Sequence, residues 1–222
     1  PPGAWIPQES GGCGRGTAML FRRMFLGGLV SVALLWVVSE VLAHGSLHRG
    51  APPLKRQAIY RTAPRFALIT QEGEQLTLRD LGGKVVLVNF VYTSCPDVCP
   101  LATAKFHRLQ HLLRARGLQG QVSLLSITTA PAIDTPSVLK EYGRRSGADF
   151  SFWTFLTGTS EQITQVWEGF GVVAVSRARG DVDHTSMTFL LDRTGRIRLI
   201  YLGYGWREED MVAQMTTLLG EG

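Results

Sequence analysis

The chain is expected to fold as an α/β domain with a central mixed sheet flanked by helices. Three observations predict it. Strand-like and helix-like runs alternate through residues 84–170, the run 84–91 is apolar almost throughout, and the last two strand-like runs are joined by a short turn. Alternation implies parallel pairing, an unbroken apolar strand implies cover on both faces, and a short turn implies an antiparallel hairpin.

The elements follow in order. Residues 66–70 and 75–78 read as short strands around Glu72-Gly73, and 84–91 as the central strand after Gly82-Gly83. Leu101, Phe106, Leu109, Leu112 and Leu113 make one apolar face of a helix over 101–116. A strand at 122–128, a helix at 135–145, a strand at 152–156 and a helix at 160–170 continue the alternation. Residues 185–191 and 197–201 form the hairpin around Asp192-Arg193-Thr194-Gly195, and a helix over 208–219 closes the domain.

The domain is expected to occupy 64–222, preceded by three segments of different character. Residues 1–18 are rich in Gly and Pro and precede the first methionine, Met19, so they carry no fold information. Residues 19–43 hold Arg22-Arg23, an apolar run and Val41-Leu42-Ala43, the pattern of a signal peptide or membrane anchor; retention as an anchor is preferred because the run nearly suffices to span a bilayer. Residues 44–63 contain Pro52-Pro53 and suit a polar linker, in which His44 and His48 are solvated. The domain is thus expected on the periplasmic side of a bacterial inner membrane.

A net charge of +5 does not make this a nucleic-acid-binding chain, because its basic residues are scattered and no aromatic platform is interleaved with them. Cysteine usage is more telling. Setting aside Cys13, the domain contains only Cys95 and Cys99, and a disulfide across so short a loop would stabilise little. Chemistry explains the pair better than stability does.

These two cysteines lie in Cys95-Pro96-Asp97-Val98-Cys99-Pro100, between a buried strand and a helix. Helix-start N–H groups and the helix dipole favour a thiolate there, so both sulfurs are expected to be reactive. Four-residue spacing lets them close a disulfide or grip one metal ion. Among the histidines, His184 in Asp183-His184-Thr185 is the preferred metal ligand, whereas His107 and His111 sit on the following helix as rim residues.

With these motifs the chain resembles the Sco (SenC) family of copper-binding, thioredoxin-like assembly factors for cytochrome c oxidase. Supporting matches are Asp134-Thr135-Pro136, Phe155-Leu156-Thr157-Gly158 and Asp192-Arg193-Thr194-Gly195-Arg196. The resemblance implies a thioredoxin-like fold, two thiolates from Cys95 and Cys99, and an imidazole from His184 on one copper. Two sulfurs and one nitrogen suit both Cu(I) and Cu(II). It also implies delivery to cytochrome c oxidase subunit II, with other copper chaperones or thiol-disulfide reductants as further partners.

Two positions depart from related patterns. Ser186 stands about where thioredoxin-like reductases carry a cis-proline, which favours a metal pocket over pure thiol exchange. Ala130 stands where the family usually has an aspartate near the copper pocket, which puts tuning of the site in question. The alternatives are a thiol-disulfide oxidoreductase, with Cys95 attacking and Cys99 resolving, and a peroxidase. Peroxiredoxins have a threonine three residues before the reactive cysteine, whereas Tyr92 precedes Cys95 and Pro96 precedes Cys99 at that spacing.

Overall fold

Val85–Val91 (β4) and Val122–Thr128 (β5) are buried at every residue and run parallel in register, Val85 opposite Val122 through Val91 opposite Thr128. This pair is the centre of the fold. The computed structural model describes residues 56–96, 98–176 and 182–221, and the expectations for 1–43 lie outside them. The other strands are Arg56–Thr62 (β1), Ala67–Thr70 (β2), Gln75–Thr77 (β3), Trp153–Thr157 (β6), Ala174–Ser176 (β7), Val182–His184 (β8), Met187–Leu191 (β9) and Arg196–Leu202 (β10). The helices are Val98–Ala115 (α1), Pro136–Arg145 (α2), Ser160–Phe170 (α3) and Glu208–Gly220 (α4), with a 3-10 turn at Leu78–Leu81.

Eight strands form one sheet in the order β1-β10-β9-β4-β5-β6-β2-β3. The β4–β5 and β5–β6 pairs are parallel and the others antiparallel, so the sheet is mixed as expected. Alternate residues of β4 point to opposite faces. Val85 and Leu87 pack with Phe106, Leu109 and Leu113 of α1, Leu139 of α2, and Met211, Val212 and Met215 of α4. Val86, Val88 and Phe90 pack on the other side with Ile163, Val166 and Phe170 of α3. The strand is apolar on both faces because helices cover both.

Local chemistry sets the helix ends. Thr135 caps α2, accepting from the Val138 N–H, and Pro136 follows at a position that needs no N–H partner. Thr159 and Gln162 form a reciprocal capping box at the start of α3, and Gly171 ends it with φ of 76°, a left-handed conformation that glycine adopts without strain.

The structure differs from the sequence expectations at three places. The segment 44–63 is not a linker throughout: β1 occupies Arg56–Thr62 and pairs antiparallel with β10. Its alternation is masked in the sequence by Arg56 and Arg61, charges that an edge strand tolerates. Helix α1 begins at Val98 rather than at 101, so Cys99 is helical and Pro100 occupies the first turn, where its missing N–H costs nothing. Finally, β7 and β8 form a separate antiparallel hairpin not foreseen from the sequence; three-residue strands leave almost no periodic signal.

Candidate metal centre

The C-terminal end of β4 feeds directly into the cysteine loop. The Cys95 N–H donates to the Tyr92 carbonyl at 3.2 Å, turning the chain before α1 starts. Cys95 and Cys99 are not joined in a disulfide; Cys95 is half-buried and Cys99 is fully buried. Cys99 packs with Val91, Tyr92, Ala102, Ala130 and Tyr204, and Cys95 and Val98 rest against the same cluster.

The loop is tied down by Asp134, a fully buried carboxylate. Its oxygens accept from the Thr93 N–H at 3.2 Å, the Thr93 hydroxyl at 2.5 Å and the Thr128 hydroxyl at 2.5 Å. The Thr129 N–H also donates to the Val91 carbonyl at 2.8 Å. The end of β5 and the start of the cysteine loop are therefore one hydrogen-bonded unit, and the loop is positioned before any ligand arrives.

Burial corrects the expectation that both sulfurs are ready thiolates. Desolvation pushes the Cys99 thiol well above its ordinary range, and the adjacent Cys95 sulfur and the Asp134 charge act in the same direction. A hydrogen bond from the Tyr92 backbone opposes them and is outweighed. At neutral pH Cys99 is a thiol, and using it as a ligand requires displacing a proton.

Two tyrosines that the sequence reading passed over flank the cysteine pair. Tyr142, from α2, shares a 2.6 Å hydrogen bond with the Thr103 hydroxyl and is pushed up to about 12, chiefly by burial. Tyr204 follows Gly203, whose N–H donates to the Ser186 carbonyl at 2.7 Å and whose φ of 72° turns the chain at the end of β10. Burial also raises the Tyr204 phenol, with the charges of Cys99 and Cys95 adding to the effect. Neither tyrosine is near the cysteines in sequence, so no local motif could have revealed them.

His184 ends β8, with its backbone opposite Ala174 of β7. β9 runs antiparallel to β4, with Thr188 opposite Asn89, so the residues just before β9 approach the end of the sheet that carries the cysteine loop. The His184 side chain lies outside the described side chains, as do those of β7 and β8. Among the described residues no group of three or more His, Cys, Asp or Glu side chains forms a metal cluster. His107 and His111 are apart from the cysteines, with ring nitrogens 3.2 Å from one another, while Gln110 donates to the Gly147 carbonyl and faces His107 Nδ1. His44 and His48 lie outside the described residues.

The SCO1/SenC family model matches residues 55–220, which include the whole sheet and the cysteine loop. The chain belongs to the SCO1/SenC family. A SCO2-like protein of Rickettsia typhi is 33% identical over 195 residues, covering 81% of this chain and 92% of its own. The solved structure of BsSco, a member of the Sco family of cytochrome c oxidase assembly proteins in which a disulfide switch was identified, superposes with a TM-score of 0.66 at 26% identity, covering 75% of this chain and 98% of its own. ScoI of Bradyrhizobium japonicum, solved with copper bound, gives a TM-score of 0.61 at 31% identity, covering 71% of this chain and 99% of its own. The SCO1/SenC assignment agrees with the thioredoxin-like architecture expected from the sequence, and the Sco relatives include copper-bound proteins.

The residues present fit a soft cation. Two thiols outside any disulfide adjoin one cluster of side chains, Cys95 half-buried and Cys99 buried, and their sulfurs suit Cu(I). Ala130 contributes only a methyl group to that cluster, so no carboxylate reaches the sulfurs from this position.

Proposed function

We propose that this chain binds one copper ion through the thiolates of Cys95 and Cys99 and the imidazole of His184, and delivers it to the binuclear copper site of cytochrome c oxidase subunit II. The observation that carries this reading is that two cysteines outside any disulfide adjoin one packed cluster just after the central strand β4. The copper-bound ScoI relative and the oxidase-assembly role of the Sco family support it. In this reading residues 19–43 tether the domain to the periplasmic side of an inner membrane, and other copper chaperones or thiol-disulfide reductants prepare the site.

Each part of the pocket has a task. Asp134 holds Thr93 and so the entry of the cysteine loop. Cys95, half-exposed, meets the incoming or departing ion first, and Cys99 completes the grip from the buried side after yielding its proton. An imidazole adds a nitrogen donor that both oxidation states accept.

The test is the copper content of the reduced domain. One copper per chain is expected for the wild type, and tight binding is lost in Cys95→Ser and in Cys99→Ser, because a hydroxyl does not replace a thiolate for Cu(I). Oxidation that joins Cys95 to Cys99 is expected to block loading, since the same sulfurs serve both states. Near-normal copper in either serine variant overturns the shared site.

The asymmetric burial of the pair favours a second reading, an extracytoplasmic thiol-disulfide oxidoreductase that reduces the cysteines of the oxidase copper site. The accessible Cys95 attacks a target disulfide and Cys99 resolves the mixed disulfide; two electrons pass to the target as Cys95 and Cys99 become joined. Rapid disulfide cycling by a domain that never holds copper would establish it.

A further inference from the structure

His107 and His111 stand one turn apart on α1, and their Nε2 atoms are 3.2 Å from one another. Two bonds of about 2.05 Å to one tetrahedral or square-planar ion, meeting at about 90–110°, hold their nitrogens about 2.9–3.4 Å apart. The imidazole pair is therefore already at the bite of a single metal ion. His107 follows Cys99 by eight residues, roughly 12 Å along the helix axis, so the pair does not share an ion with the cysteines.

The surroundings fix one ring and leave the other adjustable. His107 is half-buried against Gly147, where an added Cβ would stand 2.9 Å from His107 Cε1 and 3.0 Å from Nδ1. Gln110 donates to the Gly147 carbonyl at 2.6 Å and accepts from the Asp149 N–H at 2.8 Å, which turns its Nε2 toward His107 Nδ1 at 3.2 Å. This network makes Nδ1 an acceptor and assigns the His107 proton to Nε2, donated to His111. His111 is exposed, so its ring turns without repacking the core. The neighbouring cations are neutralised, Arg108 by Glu208 at 2.7 Å and Arg114 by Asp149.

We propose that His107 and His111 form a second metal site, separate from the cysteines, which takes one divalent transition-metal ion, Cu(II) most tightly, through both Nε2 atoms. Imidazole suits Cu(II), Ni(II) and Zn(II), and Cu(II) stands at the top of the usual affinity order. On binding, the ion takes the place of the proton between the rings. That proton moves to His107 Nδ1, the 3.2 Å contact with Gln110 is given up, and no proton is released. One neutral hydrogen bond is worth about fivefold in affinity, whereas joining two donors on one helix is worth on the order of a hundredfold over a single imidazole, so chelation prevails. Among the described residues no third His, Cys, Asp or Glu joins the pair, so water completes the coordination. Without a sulfur ligand, the site is indifferent to whether Cys95 and Cys99 are thiols or joined.

The experiment titrates Cu(II) into the full chain carrying Cys95→Ser and Cys99→Ser, so that the cysteine pair takes no part, and into the same chain with His111→Ala added. His111 is exposed, so this change leaves the fold intact. One equivalent of Cu(II) is expected to weaken about a hundredfold in the His111→Ala chain, the worth of the second linked donor. The electron paramagnetic resonance spectrum of that equivalent should lose the coupling of one imidazole nitrogen. His107→Ala is expected to do the same, and Ni(II) to bind at this site more weakly than Cu(II). Equal Cu(II) affinity and stoichiometry with and without His111 overturns the proposal, since any ion bound then lies on other histidines. Because the chain tested lacks both sulfurs, neither result bears on the copper reading given above.

Discussion

Asp134 binds Thr93 twice over, taking both its backbone N–H and its hydroxyl across 41 residues of sequence. Because Thr93 stands two residues before Cys95, the carboxylate fixes the loop from outside the metal pocket. Asp134→Ala would leave three donors without this acceptor, Thr128 buried and the two of Thr93 part-buried, and is expected to cost about 3 kcal/mol of stability. Asp134→Asn, which keeps one oxygen, should cost less. Denaturant unfolding of the two variants measures the order, and equal stability of Asp134→Ala and wild type would remove the anchoring role.

If Cys99 is a ligand as proposed, copper loading is expected to depend on pH. A thiol held above its ordinary range must lose its proton to become a ligand, so apparent copper affinity should rise with pH, by about tenfold per unit for each proton displaced. The stability of the metal-free domain is expected to show the opposite dependence. A raised folded-state value contributes stability that is complete below about pH 8.5, the ordinary thiol value, and is lost as pH rises beyond it. Competition titrations and melting curves between pH 6 and about pH 10 read the two trends, and a flat affinity profile contradicts thiol ligation.

His184→Ala is expected to weaken Cu(II) more than Cu(I). Two thiolates satisfy the low coordination number of Cu(I), whereas Cu(II) gains more from imidazole. Cu(I) competition alongside the Cu(II)-thiolate absorption makes the comparison. Equal losses reject the differential role, and no loss in either state removes His184 from the site.

Glu208 provides an acid-sensitive contact between α1 and α4. Burial alone would raise its carboxyl, but hydrogen bonds from Arg108 at 2.7 Å and from its own backbone, with Lys105 at 3.2 Å, hold it below the usual carboxylate range. A depressed folded-state value gives stability that is present above about pH 4.3, the ordinary glutamate value, and is lost as pH falls through the folded one. Acid unfolding should therefore be shallower for Glu208→Gln than for wild type below that pH. Superimposable slopes would show that the ion pairs contribute nothing.

Gly143 tests close packing of α2 on the sheet. Alanine normally stabilises a helix interior by about 1 kcal/mol over glycine. Here an added Cβ would stand 2.6 Å from a Phe150 ring atom and 2.8 Å from a Phe155 ring atom. Overpacking costs about 1–3 kcal/mol, so Gly143→Ala is expected to destabilise on balance. Gly220→Ala, at the end of α4 with open space around it, serves as the neutral comparison.

The sequence made the centre of the fold legible because burial there is unambiguous. The strand at Val122–Thr128 and the helix at Ser160–Phe170 have the limits expected from the strand–helix alternation. Strand β1 was hidden because its partner β10 lies far along the chain and most of its described residues are exposed, leaving no apolar alternation. At the candidate metal centre, adjacency in sequence made Cys95 and Cys99 visible together. Tyr142 and Tyr204 join them only through the folding of α2 and the turn after β10, and the burial that silences the Cys99 thiol is likewise a property of packing. A helix-start argument weighs the dipole but cannot weigh desolvation.

The pairing of β1 with β10 also governs the order in which the domain can assemble. Arg56 is opposite Tyr201, so the first strand to be made waits for one of the last before it has a neighbour. Contacts of such long sequence separation slow folding, because the loop entropy is lost before the pairing returns any energy. Until that moment β10 presents an open edge with Ile197, Leu199 and Tyr201 on one face, a template for the wrong partner. β1 can therefore find its neighbour only once residues 196–201 exist.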